Sequence, residues 1–148
     1  MSTHNPVPYE TTLLVRDSCL CLAVQRAARG LARRFDEALR PLDLTNGQFS
    51  LLMSLNRPKP PGLGSVAALL AMDRTTLTAA LKPLERRKLV SIMVDPKDKR
   101  GRLMTLTPEG LAVLARAVPI WKSTHEAINK DMQDGALASL LKNLGMLA

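Results

Sequence analysis

The sequence has few aromatic residues, only two cysteines and no long apolar run. Aromatic residues make up 3% of the 148 residues, and the two cysteines are Cys19 and Cys21. Cysteines two positions apart on a helix point to different sides and do not form a disulfide framework, so we expect a reducing cytosol. No apolar run approaches the ~20 residues of a membrane span. The polar N-terminal segment lacks the apolar region of a signal peptide, and these absences together predict a cytoplasmic protein.

The sequence also lacks the usual motifs of enzymes and metal sites. It has no glycine-rich phosphate loop, no HExxH and no GxSxG, and its only histidines are His4 and His125. No short metal-ligand spacing links these histidines to the cysteines. We therefore expect no catalytic residue, no metal ion and no cofactor.

The composition predicts a helical, globular protein with a polyanionic partner. Hydrophobic residues make up 46% of the chain, which excludes a disordered composition. Alanine and leucine dominate, and both are strong helix formers. The length favours one domain, and we expect residues 1–12 to be a flexible arm before a single domain over 13–148. The formal net charge of +8 indicates nucleic acid or an anionic membrane surface as the partner.

The positive charge is concentrated between Arg74 and Arg102. This tract contains nine basic residues and three acids, Glu85, Asp95 and Asp98, a local net charge of 9 − 3 = +6. The basic residues are Arg74, Lys82, Arg86, Arg87, Lys88, Lys97, Lys99, Arg100 and Arg102. The first half of the tract has a helical pattern and the second half has two β-prone runs. A helix beside a basic hairpin can engage two grooves of one DNA duplex, so the tract predicts DNA binding.

Two helices are expected before this tract. An apolar stripe at Cys21, Val24, Ala28, Leu31 and Phe35 predicts one long helix over 13–40, which Pro41 ends. A second helix is expected over 45–56, with Thr45 and Gln48 as a capping box. Its apolar face consists of Phe49, Leu51, Leu52, Met53 and Leu55. Three prolines and a glycine make 57–62 a loop.

A helix-turn-helix and a hairpin follow. Residues 65–71 form a short helix, and a brief turn leads to a helix over 74–88 whose buried stripe is Leu77, Leu81 and Leu84. Strands over 90–94 and 103–106 flank a charged turn over 95–101. Helices over 107–129 and 134–146 complete the chain. The predicted fold class is mainly α with a small β-hairpin.

The order of these elements resembles the MarR family of bacterial transcription regulators over residues 13–147. Met72-Asp-Arg-Thr-Thr-Leu-Thr78 resembles the entry to the recognition helix of that family, and Leu84-Glu-Arg-Arg-Lys-Leu-Val90 resembles its exit. Asp95-x-Lys-Asp-x-Arg100 resembles the wing signature, and Gly47-Gln-Phe-Ser-Leu-Leu52 fits the second helix. The resemblance implies a winged helix-turn-helix at about 45–106, with dimerisation helices at about 13–40 and 107–147.

Two residues depart from the family pattern. The family usually has glycine where Lys88 stands, and a side chain forced into left-handed geometry there costs about 1 kcal/mol, unless the turn is built another way. The wing usually has arginine where Lys97 stands, and lysine keeps the charge without the planar fork.

The expected DNA contacts lie on the second helix of the motif and on the wing. Hydroxyls and methyls of Thr75, Thr76 and Thr78 can meet base edges, Arg74 can reach guanine or phosphate, and Lys82 can meet phosphate. Alternatively, Thr76 only caps its own helix and Asp73 is only the N-cap. The resemblance makes Arg100 the minor-groove finger. Asp98 is expected to pair with an arginine and shape the wing. Further phosphate contacts are expected from Lys97, Lys99 and Arg102.

The resemblance further implies a homodimer that binds a pseudo-palindromic operator and a small aromatic effector that releases the DNA. Phe49 and Trp121 can line the effector cleft, or they can simply belong to the core. The run Asp17-Ser-Cys-Leu-Cys-Leu-Ala23 resembles the start of the first helix in the peroxide-sensing OhrR branch, which makes Cys21 the sensor. The alternative is that Cys21 is a small buried hydrophobe on the apolar stripe.

Two other functions remain open at this point. A non-specific architectural or RNA-binding protein explains the charge without the threonine-rich helix. A membrane-surface role fits the arginines of the first helix, although acids interrupt them and the aromatic wedge of interfacial helices is missing.

Overall fold

The computed structural model describes residues 5–148, so His4 and part of the predicted N-terminal arm lie outside the described residues. The described part is mainly helical, with one two-stranded sheet. In chain order its elements are α1 (Tyr9–Ser18), α2 (Leu20–Leu39), a 3-10 turn (Arg40–Leu42), α3 (Asn46–Leu55), α4 (Leu63–Leu70), α5 (Arg74–Arg86), β1 (Val90–Asp95), β2 (Asp98–Leu106), α6 (Pro108–Lys130) and α7 (Ala136–Gly145). None of the helices within 5–148 combines the length and hydropathy that crossing a bilayer requires.

The described chain divides into two compact units, one that ends at Arg34 and one over residues 35–148. Burial explains the division. Helix α1 buries no residue, and in α2 the only buried residue is Leu39, which lies in the second unit. The hydrophobic core of the described chain is therefore built from residues after 34.

The predicted single helix over 13–40 is two helices that are interrupted at Cys19. Cys19 has extended geometry, with φ −74° and ψ 109°. Its Sγ accepts the Leu22 N–H at 3.5 Å and its carbonyl accepts the Ala23 N–H at 3.0 Å, so this cysteine occupies the place of an N-cap for α2. Helix α1 begins at Tyr9, so the end of the predicted flexible arm is helical.

The predicted start of α3 is confirmed. The Thr45 side chain accepts the Gln48 N–H at 3.1 Å, and the Gln48 side chain accepts the Thr45 N–H at 3.1 Å, which completes the capping box. Asp36 Oδ1 also accepts the Asn46 N–H at 2.6 Å, and the hydrogen bonds from Asn46 hold the Asp36 pKa below its ordinary value. The predicted apolar face of α3 is buried except for Met53, which is 38% exposed.

The apolar stripe predicted for the second helix of the motif is the centre of the core. Leu77, Leu81 and Leu84 are at most 1% exposed. They pack in one cluster with α3, α4 and the base of the hairpin. Gly110 at the start of α6 lies so close to this layer that an added Cβ would be 2.0 Å from the Leu89 carbonyl oxygen, so a side chain there would force the two segments apart.

The hairpin is antiparallel, and Val90 pairs with Leu106 at its base. Its second strand begins at Asp98, so most of the segment predicted as a turn over 95–101 is strand, and Pro96 and Lys97 alone connect the strands. The proline-rich loop adds a short edge, because Gly62 bridges Leu103 and the Met104 N–H donates to Pro61 O at 3.0 Å. The wing is thus anchored at its base.

Lys88 adopts the left-handed geometry that the family pattern implies for a glycine, with φ 59°. The Lys88 N–H donates to Glu85 O at 2.9 Å and the Leu89 N–H donates to Leu84 O at 3.0 Å. These bonds satisfy the last carbonyls of α5. In addition, the Thr107 hydroxyl donates to Lys88 O at 2.6 Å. Helix α5 therefore ends in a turn that a non-glycine residue adopts only with strain.

We predict that Lys88→Gly stabilises the protein by about 1 kcal/mol, because glycine adopts positive φ without the Cβ clash. Urea unfolding followed by circular dichroism measures this change. The control is Lys82→Gly, which places glycine inside α5 and should destabilise by about 1 kcal/mol. An unchanged or lower stability of the Lys88→Gly protein would contradict the argument.

Candidate nucleic-acid interface

The N-terminus of α5 is held by Asp73. Its carboxylate accepts the Thr76 N–H at 2.7 Å and the Thr76 hydroxyl at 2.9 Å. The backbone bond from Thr76 and then its side-chain bond lower the Asp73 pKa below its ordinary value. Asp73 is thus the N-cap of α5, and the Thr76 hydroxyl completes the cap. These are the capping roles that the sequence offered as alternatives to base contact.

The side of α5 that lies opposite the buried leucines carries Thr75, Ala79, Lys82 and Arg86, at spacings of 4, 3 and 4. All four residues are exposed. Ala79 and Arg86 were not among the expected contacts, although the periodicity of the sequence places them on this outer line. An alanine methyl can contact the thymine methyl group, and an arginine can meet phosphate.

Arg74, Thr76 and Thr78 flank this outer line and are exposed. The Thr78 hydroxyl donates to Arg74 O at 2.8 Å, within the helix. The Arg74 guanidinium lies over the start of α4, because a Cβ added at Gly64 would be 3.2 Å from its Nη2. Glycine at position 64 therefore leaves room for this arginine beside the helix-turn-helix.

The wing tip is shaped by carboxylates that bind backbone amides. Asp95 Oδ1 accepts the Lys97 N–H at 2.9 Å, and Asp98 Oδ1 accepts the Arg100 N–H at 3.0 Å. We expected Asp98 to pair with an arginine side chain. That expectation was wrong, because the carboxylate binds the backbone N–H of Arg100 instead. The short spacing between Asp98 and Arg100 favours a local bond to the backbone.

The cations of the wing differ in whether their side chains are already hydrogen-bonded to the protein. Arg102 Nη1 donates to Gly101 O at 3.1 Å and to Lys99 O at 3.3 Å, so its guanidinium is folded onto the wing. The side chains of Lys97, Lys99 and Arg100 are exposed and have no hydrogen bond or ion pair to any residue within 5–148. These three cations are free to meet an anion.

Arg87 is a structural arginine at the end of α5. Its guanidinium donates to Asp43 O at 2.6 Å and to Leu42 O at 3.4 Å. These carbonyls belong to the turn after α2, where Asp43 has φ 54°. Arg87 thus ties the C-terminal end of α5 to this turn instead of pointing its charge at a ligand.

Helix α5 and strand β1 pack against each other, so the exposed line of α5 lies beside the wing in the same compact unit. In the described part of the chain no carboxylate forms an ion pair with a basic side chain of the tract between Arg74 and Arg102. This arrangement offers unneutralised positive charge and hydrogen-bonding groups to a polyanion.

An aromatic cleft lies in the second unit. Phe49 and Trp121 stack with ring centroids 6.4 Å apart and an interplanar angle of 20°. The ring centroids of His125 and Trp121 are 4.8 Å apart. Phe49 is 7% exposed and belongs to the core, and Trp121 packs against it. Both residues also line a cleft of about 480 Å³, together with Met53, Leu69, Val118 and Lys122.

Cys21 is exposed, so its assignment as a small buried hydrophobe is wrong for the chain by itself. Its Sγ accepts a hydrogen bond from Gln25 Nε2 at 3.2 Å. The stripe on which it lies is not covered, as the 45% exposure of Leu31 shows. Within residues 5–148 no three histidine, cysteine or acidic side chains come together as a metal site.

A helix-turn-helix whose second helix presents a polar face beside a basic hairpin defines a winged-helix DNA-binding protein. A sequence profile of the MarR family matches residues 44–101, which covers the helix-turn-helix and most of the wing.

The chain is also similar to known transcriptional regulators in sequence and in structure. The transcriptional regulator HosA of Escherichia coli O111:H- is 40% identical over 86 residues, and the match covers 57% of this chain and 62% of HosA. The M. tuberculosis transcriptional regulator MosR, solved with DNA, is 35% identical with a TM-score of 0.79, over 88% of this chain and 96% of that chain. Bordetella bronchiseptica BpsR, whose DNA binding is regulated by 6-hydroxynicotinic acid, is 25% identical with a TM-score of 0.79, over 88% and 93%. The chain belongs to the MarR family of transcriptional regulators.

The cap at Asp73 predicts a pH dependence of stability. Because the folded pKa of Asp73 is lowered, its stabilising effect is complete above its unfolded pKa of about 3.9 and is lost as the pH falls through the folded value. The melting temperature of the wild type should therefore exceed that of Asp73→Ala near neutral pH, and the difference should shrink below about pH 4.

The control for this experiment is Asp73→Ser, whose hydroxyl caps the helix without titrating. The difference between the serine and alanine variants should be independent of pH. An equal difference between wild type and Asp73→Ala at neutral and acid pH would refute the cap as the titrating contact.

Proposed function

We propose that this chain is a homodimeric repressor that binds a pseudo-palindromic DNA operator and releases it when a small aromatic ligand binds. The observation that carries the proposal is the exposed face of α5 beside a wing with three unpaired cations. The DNA-bound structure of MosR supports a DNA partner for this chain. The proposal places the protein in the cytoplasm, where its DNA is, and gives it no catalytic activity.

In the proposed complex α5 enters the major groove and the wing follows the adjacent minor groove. Arg74, Thr75, Thr76 and Thr78 lie at the end of α5 that meets base edges, and Lys82 meets phosphate. On the wing, Arg100 enters a narrow A·T-rich minor groove while Lys97 and Lys99 bind phosphates. Arg102 contributes charge, but its bonds to Lys99 O and Gly101 O favour support of the wing.

We predict that Arg100→Ala weakens binding to the operator by about 1–3 kcal/mol and leaves the fold intact. The loss follows from the free guanidinium at the wing tip. Anisotropy titrations at fixed salt, with the intergenic DNA upstream of the coding sequence as the probe, measure this change.

Lys130→Ala is the control for Arg100→Ala. It also removes one positive charge, but Lys130 pairs with Glu126 at 3.6 Å on α6 and lies outside the basic tract. Its affinity should match the wild type. Equal affinities of the Arg100→Ala and wild-type proteins would refute the role of the wing. Equal wild-type affinity for bulk competitor DNA would instead favour the architectural protein.

The homodimer is supported by exposed apolar residues on the terminal helices. Leu140 and Leu141 on α7 are 43% and 55% exposed, and Leu14 and Val15 on α1 are 63% and 52% exposed. Such apolar surface on a small protein marks an interaction site. A dimer also solves a problem of affinity, since one winged module contacts too little DNA for tight specific binding.

We predict that Leu141→Glu shifts the protein toward monomer, because it buries a carboxylate in the apolar dimer contact. Light scattering at micromolar concentration measures the mass. Lys142→Glu places the same group next to it on α7, at an exposed polar position, and should remain dimeric. A wild-type protein that is monomeric under these conditions would refute the proposed dimer.

The effector cleft is proposed at Phe49 and Trp121. Flat aromatic walls favour a planar ring, and Lys122 at the edge of the same cleft favours an anionic substituent. The regulation of BpsR by 6-hydroxynicotinic acid supports a small aromatic ligand for this chain.

A cysteine-based peroxide response is a second candidate. The exposure of Cys21 favours it, because an oxidant can reach the thiol. Tyrosine positions that would engage a thiolate in the peroxide-sensing branch are not matched here, since Tyr9 is the only tyrosine. If cumene hydroperoxide leaves DNA binding of the reduced protein unchanged, this candidate is excluded.

A further inference from the structure

The three threonines of α5 are all exposed, but their hydroxyl hydrogens are not equally available. A threonine hydroxyl has one hydrogen to donate and two lone pairs that accept. The hydrogen of Thr76 is directed at Asp73 Oδ2 at 2.9 Å, and that of Thr78 at Arg74 O at 2.8 Å. The Thr75 hydroxyl has no hydrogen bond to any residue in the described part of the chain.

The two internal bonds resist exchange for a bond to DNA. Thr76 donates to an ionised carboxylate, and such charge-assisted bonds are roughly twice as strong as bonds between neutral groups. Thr78 donates to the carbonyl four residues earlier, a bond that its place in the helix fixes. A neutral acceptor on a base edge would have to replace these bonds. Thr76 and Thr78 therefore present methyl groups and lone pairs.

The position of Thr75 matches its free hydroxyl. Thr75 lies on the side of α5 opposite Leu77, Leu81 and Leu84, and it is the first residue of the outer line that continues through Ala79 and Lys82. Residues near the N-terminal end of a recognition helix contact base edges. The one threonine that can donate is thus also the one that points most directly away from the core.

We propose that Thr75 is the hydroxyl donor through which α5 reads a base edge, and that Thr76 and Thr78 read A·T pairs by methyl contact. This assignment rests on the proposed DNA binding. An A·T pair offers the thymine methyl in the major groove, which a threonine methyl can contact, whereas a G·C pair has no such methyl group. Guanine offers two acceptors there and requires a donor, which Thr76 and Thr78 lack.

The first test replaces each hydroxyl by a methyl group. A duplex selected by the wild-type protein from a random library serves as the probe, and a scrambled duplex measures non-specific binding. Thr75→Val should weaken binding to the selected duplex about fivefold to tenfold, the effect of one lost hydrogen bond. Thr76→Val and Thr78→Val should change it less than about twofold, since valine keeps the shape and the methyl contact. Binding to the scrambled duplex should not change, and melting curves verify the fold of each variant.

The second test uses the wild-type protein and altered DNA. Uracil in place of thymine removes the methyl groups and should weaken binding to the selected duplex. Thr76→Ser and Thr78→Ser lack the matching methyl, so uracil should cost these variants less than it costs the wild type. A full loss with uracil in both serine variants would overturn the methyl contacts.

The outcomes separate this assignment from the proposed function. If the valine variants at 76 or 78 lose as much affinity as the one at 75, or if Thr75→Val loses none, the assignment is wrong although DNA binding stands. If the wild type enriches no sequence from the library, specific DNA binding fails and the assignment fails with it.

Discussion

The burial of three leucines on one side of α5 fixes the orientation of everything that can meet a ligand. Leu77, Leu81 and Leu84 are at most 1% exposed, and together they prevent the helix from rotating about its axis. Because the helix cannot rotate, the line of residues opposite this stripe, which begins at Thr75 and ends at Arg86, must face outward. The hydrogen bonds at the two ends of α5 then fix where it begins and ends. A helix held in this way can present side chains to a rigid duplex without a large loss of entropy on binding.

Charge by itself does not identify the residues that are free to bind DNA. Arg87 donates to two carbonyls of the preceding turn, and Arg102 donates to carbonyls of its own wing. Asp95 and Asp98 lie among the wing cations, yet their carboxylates accept backbone N–H groups. The structure therefore separates the basic tract into arginines that support the scaffold and cations that remain available to phosphate.

The terminal helices serve a different purpose from the winged module. Helices α1 and α7 bury no residue within the chain, and several of their leucines are exposed. The residues of α3, α4 and α5 instead build a shared core. This contrast is what a dimer requires, because surface left uncovered in one protomer can be covered by another. It also explains why the predicted stripe through Cys21 and Leu31 is apolar in sequence and yet exposed in the chain by itself.

Short-range patterns were enough to predict much of this molecule. The capping box at Thr45 and Gln48 depends on contacts within a few residues, and the spacing of Leu77, Leu81 and Leu84 already places them on one side of α5, so the sequence determined both. The left-handed geometry of Lys88 was one of two possibilities that the family pattern left open. The break at Cys19, the bond of Asp98 to a backbone amide and the exposure of Cys21 were not predicted. Each depends on a choice between local partners, or on which surfaces the rest of the chain covers. The internal hydrogen bonds of the Thr76 and Thr78 hydroxyls, to the Asp73 carboxylate and to Arg74 O, also depend on where the folded chain places an acceptor, because the residue type shows only that a donor is present. The tertiary structure alone therefore decided which polar groups stay free, since that depends on where acceptors lie in space.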